Sequence, residues 1–289
     1  MPHPTPWIGF DGLLDLVRDR TVTVLSGAGM STESGIPDYR GPESRETDHS
    51  PIQYDEFVAD ERTRRHYWAR SAVGWPSFEA AAPNDGHRAL AALESAGVVN
   101  GLITQNVDRL HQAAGSRRVV ELHGALAEVV CLECGALTSR HTMQDRLLAH
   151  NPGWDRTAAA LAPDGDASVP RAVTRTFTVP ACRACGGVLK PHVVFFGENT
   201  ADERVDAAWS LLAEADALLV VGSSLTVYSG FRFVRGAVEA SRPVGIVNLG
   251  ETRGTPLAAV HVDARLGELL PQLTRALGLP AAPPASSPA

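Results

Sequence analysis

Four cysteines give the clearest chemical signal in this sequence. They form two Cys-x-x-Cys pairs, Cys131 with Cys134 and Cys182 with Cys185, and the chain has no other cysteine. A glycine follows each pair, and two such turns brought together by a fold are typical of a tetrahedral structural zinc. A redox pair or two disulfides would use the same residues, so both stay open as alternatives. Because four thiolates would fill the coordination sphere, we expect one structural Zn²⁺ without a catalytic role.

A glycine-rich turn gives the second signal. Gly27-Ala28-Gly29 follows the apolar residues 21–25, and such a turn lets a backbone approach a pyrophosphate at a helix N-terminus. The third glycine of the dinucleotide fingerprint is absent, so a plain tight turn is an equal alternative. A similar cluster, Gly222-Ser223-Ser224, ends another apolar segment and favours phosphate binding.

Polar side chains of other kinds also stand at the ends of apolar segments. His123, one of ten histidines, follows the strand-like residues 119–122, and an imidazole with an ordinary pKa near 6.5 suits a general base. A surface or core histidine is the alternative. Asn106, Asp108 and His111 form a cluster after residues 101–104, and their alternative role is to cap a helix.

The elements that must position these residues alternate along the chain. We predict strands at 21–25, 101–104, 217–221 and 244–247, with helices at 87–96 and 202–214. This alternation predicts an α/β fold with a doubly wound, Rossmann-like parallel sheet. Ligands of such sheets bind beyond the carboxyl ends of the strands, where the polar clusters fall. We therefore expect these clusters to share one site.

Two segments interrupt the alternation and suggest insertions. We assign residues 1–40, 84–125 and 190–279 to the dinucleotide-binding domain, 41–83 to a helical insertion with a cofactor loop, 126–189 to a smaller zinc-binding module and 280–289 to a disordered tail. The tail is rich in Pro, Ala and Ser, a composition that buries little apolar surface.

Composition limits the class of protein. The chain has 289 residues, 44% of them hydrophobic and 20% charged, which is ordinary for a globular protein. A net charge of −7 argues against a nucleic-acid partner, and no apolar stretch reaches the roughly 18 residues that a membrane helix requires. The first residues lack a signal or transit pattern, and paired cysteines suit a reducing compartment. We expect a cytoplasmic protein without a membrane partner.

The motifs together resemble the sirtuins, a family of NAD-dependent protein-lysine deacylases. The resemblance runs in order from about residue 20 to 275 and is carried by residues 27–40, 104–111, 121–124, 193–198 and 222–230, with the four cysteines in place. Tyr39 and the segment 227–230 are similar to the class II branch, which includes a mitochondrial lipoamidase and ADP-ribosyltransferase.

The resemblance implies an activity and the residues that perform it. The enzyme would transfer the acyl group of a lysine to the ADP-ribose of NAD, its co-substrate, and release nicotinamide. His123 would be the catalytic base, and Asn106 and Asp108 would act at the nicotinamide. The implied cofactor-binding residues are Gly27, Ala28, Gly29, Ser31, Tyr39, Arg40, Gln105, Asn106, Asp108, Gly222, Ser223, Ser224, Asn248, Leu249, Gly250 and Leu266.

The resemblance also implies how a protein substrate binds. An acyl-lysine segment would add as a strand near Phe196, Gly197, Glu198 and the segment 227–230, beginning at Val227. We expect a monomer. The alternatives are a protein mono-ADP-ribosyltransferase on the same scaffold and a non-catalytic module that binds NAD or ADP-ribose.

Two departures concern substrate choice. His192 stands where many family members carry Asp. Tyr67 and Arg70 have the spacing of a Tyr-x-x-Arg pair found in members that prefer acidic acyl groups, so we expect Arg70 to influence acidic-acyl activity. The alternative is that Tyr67 and Trp68 pack on a helix, and for Trp68 we favour packing.

Overall fold

A parallel sheet is the centre of this computed structural model, which describes residues 7–39, 51–154 and 165–280. Its strands and those of a smaller sheet are β1 (Val22–Ser26), β2 (Val99–Thr104), β3 (Val119–Glu121), β4 (Gly124–Cys131), β5 (Leu137–Ser139), β6 (Leu189–Val193), β7 (Ala217–Val221), β8 (Val244–Val247) and β9 (Val260–Val262). The α-helices are α1 (Phe10–Arg18), α2 (Tyr54–Ala59), α3 (Glu61–Glu79), α4 (Asp85–Ser95), α5 (Leu110–Ala113), α6 (Arg140–His150), α7 (Asp202–Ala213), α8 (Tyr228–Glu239) and α9 (Leu266–Ala276).

The larger sheet is doubly wound, as predicted. Its six strands lie in the order β3-β2-β1-β7-β8-β9, and each neighbouring pair is parallel. The chain moves outward from β1 in one direction and later returns to the other side of β1. The switch point between β1 and β7 is where α/β sheets bind ligands. It places the two glycine turns of the sequence side by side.

Helices cover both faces of this sheet. Every residue of β1 and β7 is buried, which explains why parallel strands appear in the sequence as uninterrupted apolar runs. Apolar residues of α1, α4 and α9 form one core layer, and those of α7 and α8 form the other.

A three-stranded antiparallel sheet carries the cysteines. Its order is β5-β4-β6, and a third apolar cluster joins this sheet to α3 and α6. The described part of the predicted helical insertion, residues 51–83, contains α2 and α3. The partition into domains stays a prediction, and β4 and β6 cross its boundaries near residues 125 and 189. Within the described residues no helix is long and apolar enough to cross a membrane.

Two buried imidazoles lie beneath the switch point. His87 and Asn84 cap α4 reciprocally: the His87 N–H donates to the Asn84 side chain at 3.2 Å, and the Asn84 N–H donates to Nδ1 of His87 at 3.3 Å. The ring of His111 lies 4.9 Å from that of His87, and its Nε2 is 2.8 Å from Oγ of Ser26. The pair therefore connects α4 to the end of β1.

These imidazoles predict a loss of stability in acid. Burial lowers the pKa of His87 to about 2, with a smaller contribution from His111, and lowers that of His111 to about 4. In the unfolded chain both protonate near pH 6.5, so below that pH the unfolded state binds more protons than the native state. We expect the free energy of unfolding to fall by about 1.4 kcal/mol per pH unit for each histidine between roughly pH 6.5 and 4.

Urea unfolding at a series of pH values measures this dependence. The matched variant is His111→Asn, which retains a polar side chain that does not titrate. We expect its unfolding free energy to depend less steeply on pH below 6.5 than that of the wild type. Equal slopes in the two proteins would contradict the assignment.

Candidate active site and zinc site

A cleft of about 560 Å³ lies at the carboxyl ends of β1, β2 and β7. Most residues that the sequence assigned to NAD line it: Ala28, Gly29, Ser31, Tyr39, Gln105, Asn106, Asp108, Gly222, Ser223, Ser224, Asn248, Leu249 and Leu266, together with His123. Gly27 and Gly250 do not line it, and Arg40 lies outside the described residues. The amide of Gly250 instead faces the carboxylate of Asp263 at 3.2 Å.

The two glycine turns pack backbone against backbone. A Cβ added to Gly27 would lie 2.7 Å from Cβ of Ser223, and one added to Gly222 would lie 2.5 Å from the amide nitrogen of Met30. Gly222 also has a φ of 60°, a conformation that glycine adopts without strain. The helix N-terminus expected after the first glycine turn takes the form of two 3₁₀ turns, Ala28–Met30 and Thr32–Ser34. These turns bring their backbone to the cleft without a long helix behind it.

Asn106 and Asp108 share a hydrogen-bonded cluster with Ser31. Nδ2 of Asn106 donates to the carbonyl of Gly27 at 3.0 Å and to Oγ of Ser31 at 3.1 Å. Oγ of Ser31 donates to Oδ2 of Asp108 at 2.6 Å, and the Leu110 amide donates to Oδ1 at 2.9 Å. Burial raises the pKa of Asp108 despite these bonds. The cluster offers amide and carboxyl groups that suit a ligand bearing an amide.

Gln105 ties the ends of β2 and β7 together. The backbone N–H of Gln105 donates to the Ser26 carbonyl at 3.0 Å, and Oγ of Ser223 donates to the side-chain Oε1 of Gln105 at 2.6 Å. A Cβ at Gly230 would lie 2.6 Å from its Nε2, so the start of α8 packs closely against this side chain. The side chain is thereby fixed between the turn after β7 and the start of α8.

His123 is held in one tautomer. Its Nδ1 lies 3.0 Å from the carbonyl of Gln105, and its Nε2 lies 2.8 Å from Oγ of Ser229. A carbonyl can only accept, so Nδ1 carries the proton and Nε2 accepts from the Ser229 hydroxyl. Burial lowers the pKa of His123 to about 4; the Gln105 carbonyl opposes this, and the charges of Arg204 and Arg232 add to it. The imidazole is therefore neutral near pH 7, with its basic nitrogen at the cleft.

The four cysteine sulfurs converge at the end of the smaller sheet. They lie within 4.8 Å of one another, with 3.5 Å between Sγ of Cys131 and Cys185 and 3.8 Å between those of Cys134 and Cys182. Tetrahedral Zn–S bonds of about 2.3 Å require sulfurs about 3.8 Å apart, whereas a disulfide requires about 2.05 Å. The thiols are free, and their arrangement fits one zinc ion rather than two disulfides.

The predicted substrate edge is only partly extended. The Phe196 carbonyl accepts from the Tyr54 amide at 2.9 Å, and the Phe195 amide donates to the Glu198 carboxylate at 2.8 Å. The chain's sole lysine, Lys190, pairs with Glu198 at 2.9 Å. On the other side Val227 is extended, but α8 begins at the next residue. Residues 228–230 form the first turn of α8, where the N–H groups are not used within the helix, and the expectation that a substrate pairs along 227–230 stays a prediction.

The residues assigned to substrate choice occupy different surroundings. Tyr67 and Trp68 are buried in the apolar cluster of α3, as the packing alternative predicted, and Tyr67 also lines the cleft. Arg70 does not line the cleft: its Nε donates to the Ala167 carbonyl at 3.1 Å, and its guanidinium lies 3.8 Å from Asp166. The expected influence of Arg70 on acidic acyl groups stays a prediction.

Sequence reasoning missed the partners of His123. Ser229 belongs to the segment 227–230, which the sequence assigns to substrate binding, and nothing in the sequence links it to residue 123. Arg204 and Arg232 sit on amphipathic helices, where an arginine is most often a solvated residue. Their effect on the imidazole arises only when α7 and α8 pack near His123, and no residue spacing in the sequence predicts it.

Comparisons with known proteins agree with this geometry. The model of the Sir2 family matches residues 27–229. NAD-dependent protein deacetylase 1 of Streptomyces coelicolor is 53% identical over 265 residues, which cover 92% of this chain and 89% of that protein. The human mitochondrial NAD-dependent protein lipoamidase sirtuin-4 is 49% identical over 259 residues, 89% and 82% of the two chains. A solved structure of Sir2 with a p53 peptide and NAD⁺ has a TM-score of 0.76 at 30% identity and covers 94% of this chain and 99% of its own.

Proposed function

The chain belongs to the Sir2 family, and from this premise we infer that it is an NAD-dependent protein-lysine deacylase that transfers the acyl group to ADP-ribose and releases nicotinamide. The observation that carries this function is His123, a neutral imidazole whose basic Nε2 faces a cleft built at the switch point of the sheet. Relatives named as NAD-dependent deacetylases support the substrate class.

The residues of the cleft suggest a division of labour. NAD supplies the ADP-ribose that accepts the acyl group and the nicotinamide that leaves. The turns at Gly29 and Gly222 and the Ser223 hydroxyl would hold its phosphates, and Asn106 and Asp108 would hold the nicotinamide amide. Nε2 of His123 would take up the proton of a ribose hydroxyl. The buried floor of the cleft excludes water from these groups and strengthens their electrostatic interactions.

The acyl-lysine segment of a protein would add beside Phe196 and Gly197 on one side and Val227 on the other. Solved Sir2 structures with acetylated and p53 peptides support a peptide in this family's cleft. Backbone pairing gives affinity with modest sequence preference, which suits an enzyme that modifies several proteins. A monomer in the cytoplasm remains our proposal, and the four clustered cysteines, which fit a zinc ion rather than disulfides, favour a reducing compartment.

Mass spectrometry of the products tests this function. The protein is incubated with NAD and peptides that carry acetyl, glutaryl, long aliphatic or lipoyl groups; the lipoyl peptide follows from the name of the human relative. Equal amounts of nicotinamide, free lysine peptide and acyl-ADP-ribose are expected. ADP-ribose attached to protein would instead indicate a transferase, and NAD binding without turnover would indicate a binding module.

A further inference from the structure

Arg204 of α7 lies against the backbone that carries His123. A Cβ at Gly124 would lie 2.7 Å from Nη1 of Arg204. Gly124 has a φ of 79°, and the carbonyl of His123 accepts from the Val194 amide at 2.8 Å. The guanidinium therefore occupies the space next to the residue that follows His123, at a place where a side chain would displace it.

The partner of Arg204 is the imidazole of His192. Nη2 of Arg204 and Nε2 of His192 are 3.1 Å apart, and Nδ1 of His192 is 2.9 Å from Oε2 of Glu128. A guanidinium can only donate, so Nε2 of His192 accepts and carries no proton. Nδ1 then donates to Glu128. Across the described ranges 7–39, 51–154 and 165–280, Arg204 has no carboxylate within ion-pair distance.

The nearby carboxylates are already paired with other cations. Glu128 and Glu121 both accept from Arg109, at 2.7 and 3.0 Å. Glu198 pairs with Lys190. On α8, Arg232 also faces the imidazole and adds a second positive charge. The charges that act on the His123 imidazole are those of Arg204 on α7 and Arg232 on α8, and among the described residues no carboxylate pairs directly with Arg204.

We propose that Arg204 is a positioning residue for His123: because the His192 imidazole holds it in place of a carboxylate, its uncompensated charge adds to burial in keeping the imidazole of His123 unprotonated in mildly acidic solution. This inference rests on the proposed function in that it takes His123 as the base. Burial accounts for most of the lowered pKa of His123, and Arg204 contributes the largest share among the charges. The expected consequence is an enzyme that retains its base in mildly acidic solution.

Two substitutions of equal size at position 192 distinguish the effect of a charge beside Arg204 from the effect of side-chain shape. His192→Asp supplies a carboxylate that neutralises Arg204, whereas His192→Asn supplies a neutral acceptor of the same size. We expect the Asp variant to raise the pKa of His123 by about 0.5 to 1 unit, and the Asn variant to leave it near the wild-type value. Arg204→Gln should raise it similarly, and Arg204→Lys should preserve it.

Two readouts measure the shift. The ring resonances of His123 are followed by NMR in the free protein between pH 8 and 4.5, with circular dichroism to confirm the fold at each pH. The acid limb of the pH dependence of kcat/KM gives the same pKa in the free enzyme. Equal titrations in the Asp and Asn variants, or no shift in Arg204→Gln, would overturn the proposal. If the wild type released no nicotinamide, the proposed function would fail while the NMR comparison still decided the role of Arg204.

Discussion

Replacement of His123 by alanine is expected to lower kcat/KM for NAD-dependent deacylation by about 10² to 10⁴, the usual contribution of a positioned acid or base. In the folded chain Nδ1 is bound to a carbonyl, so Nε2 is the nitrogen that can take up a proton. Alanine leaves no acceptor at this place. The rates of nicotinamide release and peptide deacylation, measured together, should fall in parallel.

The affinity for NAD distinguishes lost chemistry from a damaged site. His123 is not among the residues assigned to NAD contacts, so calorimetry should give a dissociation constant within a few-fold of the wild-type value. His150→Ala is a suitable control, because this exposed histidine at the end of α6 lies far along the chain from the site, with its Nδ1 2.8 Å from the carbonyl of Arg146. A His123→Ala protein that keeps activity within threefold of the control would refute the role of this residue as the base.

The central strands could be predicted because burial on both faces leaves a simple pattern. The bounds of β7 and β8 agree with the predicted ranges 217–221 and 244–247, since each is a continuous apolar run between polar turns. The edge strand β9 has three residues, and β5 is largely exposed. Short edge strands of this kind have neither the length nor the alternation that a sequence pattern needs, and they were not predicted.

At the glycine turns, the local sequence predicted the turns themselves but not the conformation of the residues that follow. The approach of a second backbone explains why glycine is required at positions 27 and 222, and the sequence indicated both turns. It indicated a short helix after the first turn but not that this helix would consist of two 3₁₀ turns. Gly35, with a φ of 85°, ends the second turn, so the chain leaves the cleft before an α-helix can develop.

In the candidate site, sequence motifs identify the residues, but the folded surroundings determine their chemical properties. His123, Asn106 and Asp108 were identified because each follows a strand, and strand ends of a parallel sheet must meet. The pKa of His123 depends instead on burial and on two arginines far away along the chain. Arg70 shows the same dependence on surroundings: its spacing from Tyr67 suggests a pocket residue, its Nε donates to the Ala167 carbonyl, and its influence on acyl choice stays a prediction.

Loss of one zinc ligand is expected to have the largest effect on stability. Cys131 ends β4 and Cys182 precedes β6, so the metal would join the two longest strands of the smaller sheet. In Cys182→Ser we expect zinc to be lost and the free energy of unfolding to fall by about 5 kcal/mol or more, since structural zinc contributes of order 10 kcal/mol in small domains. The melting temperature should fall by about 10 °C or more. Metal analysis of the purified protein should find one zinc per chain in the wild type.

A second variant in the same module serves as a control for this loss of stability. Oγ of Ser139 caps α6 by accepting from the Thr142 amide at 3.1 Å, and Ser139→Ala should cost about 1 kcal/mol without loss of zinc. Because the chain has four cysteines, thiol titration of the wild type should find none reactive before chelation and four after it. The chelated protein should unfold like Cys182→Ser. A Cys182→Ser protein that binds one zinc and melts with the Ser139→Ala control would show that the four sulfurs do not act as one site.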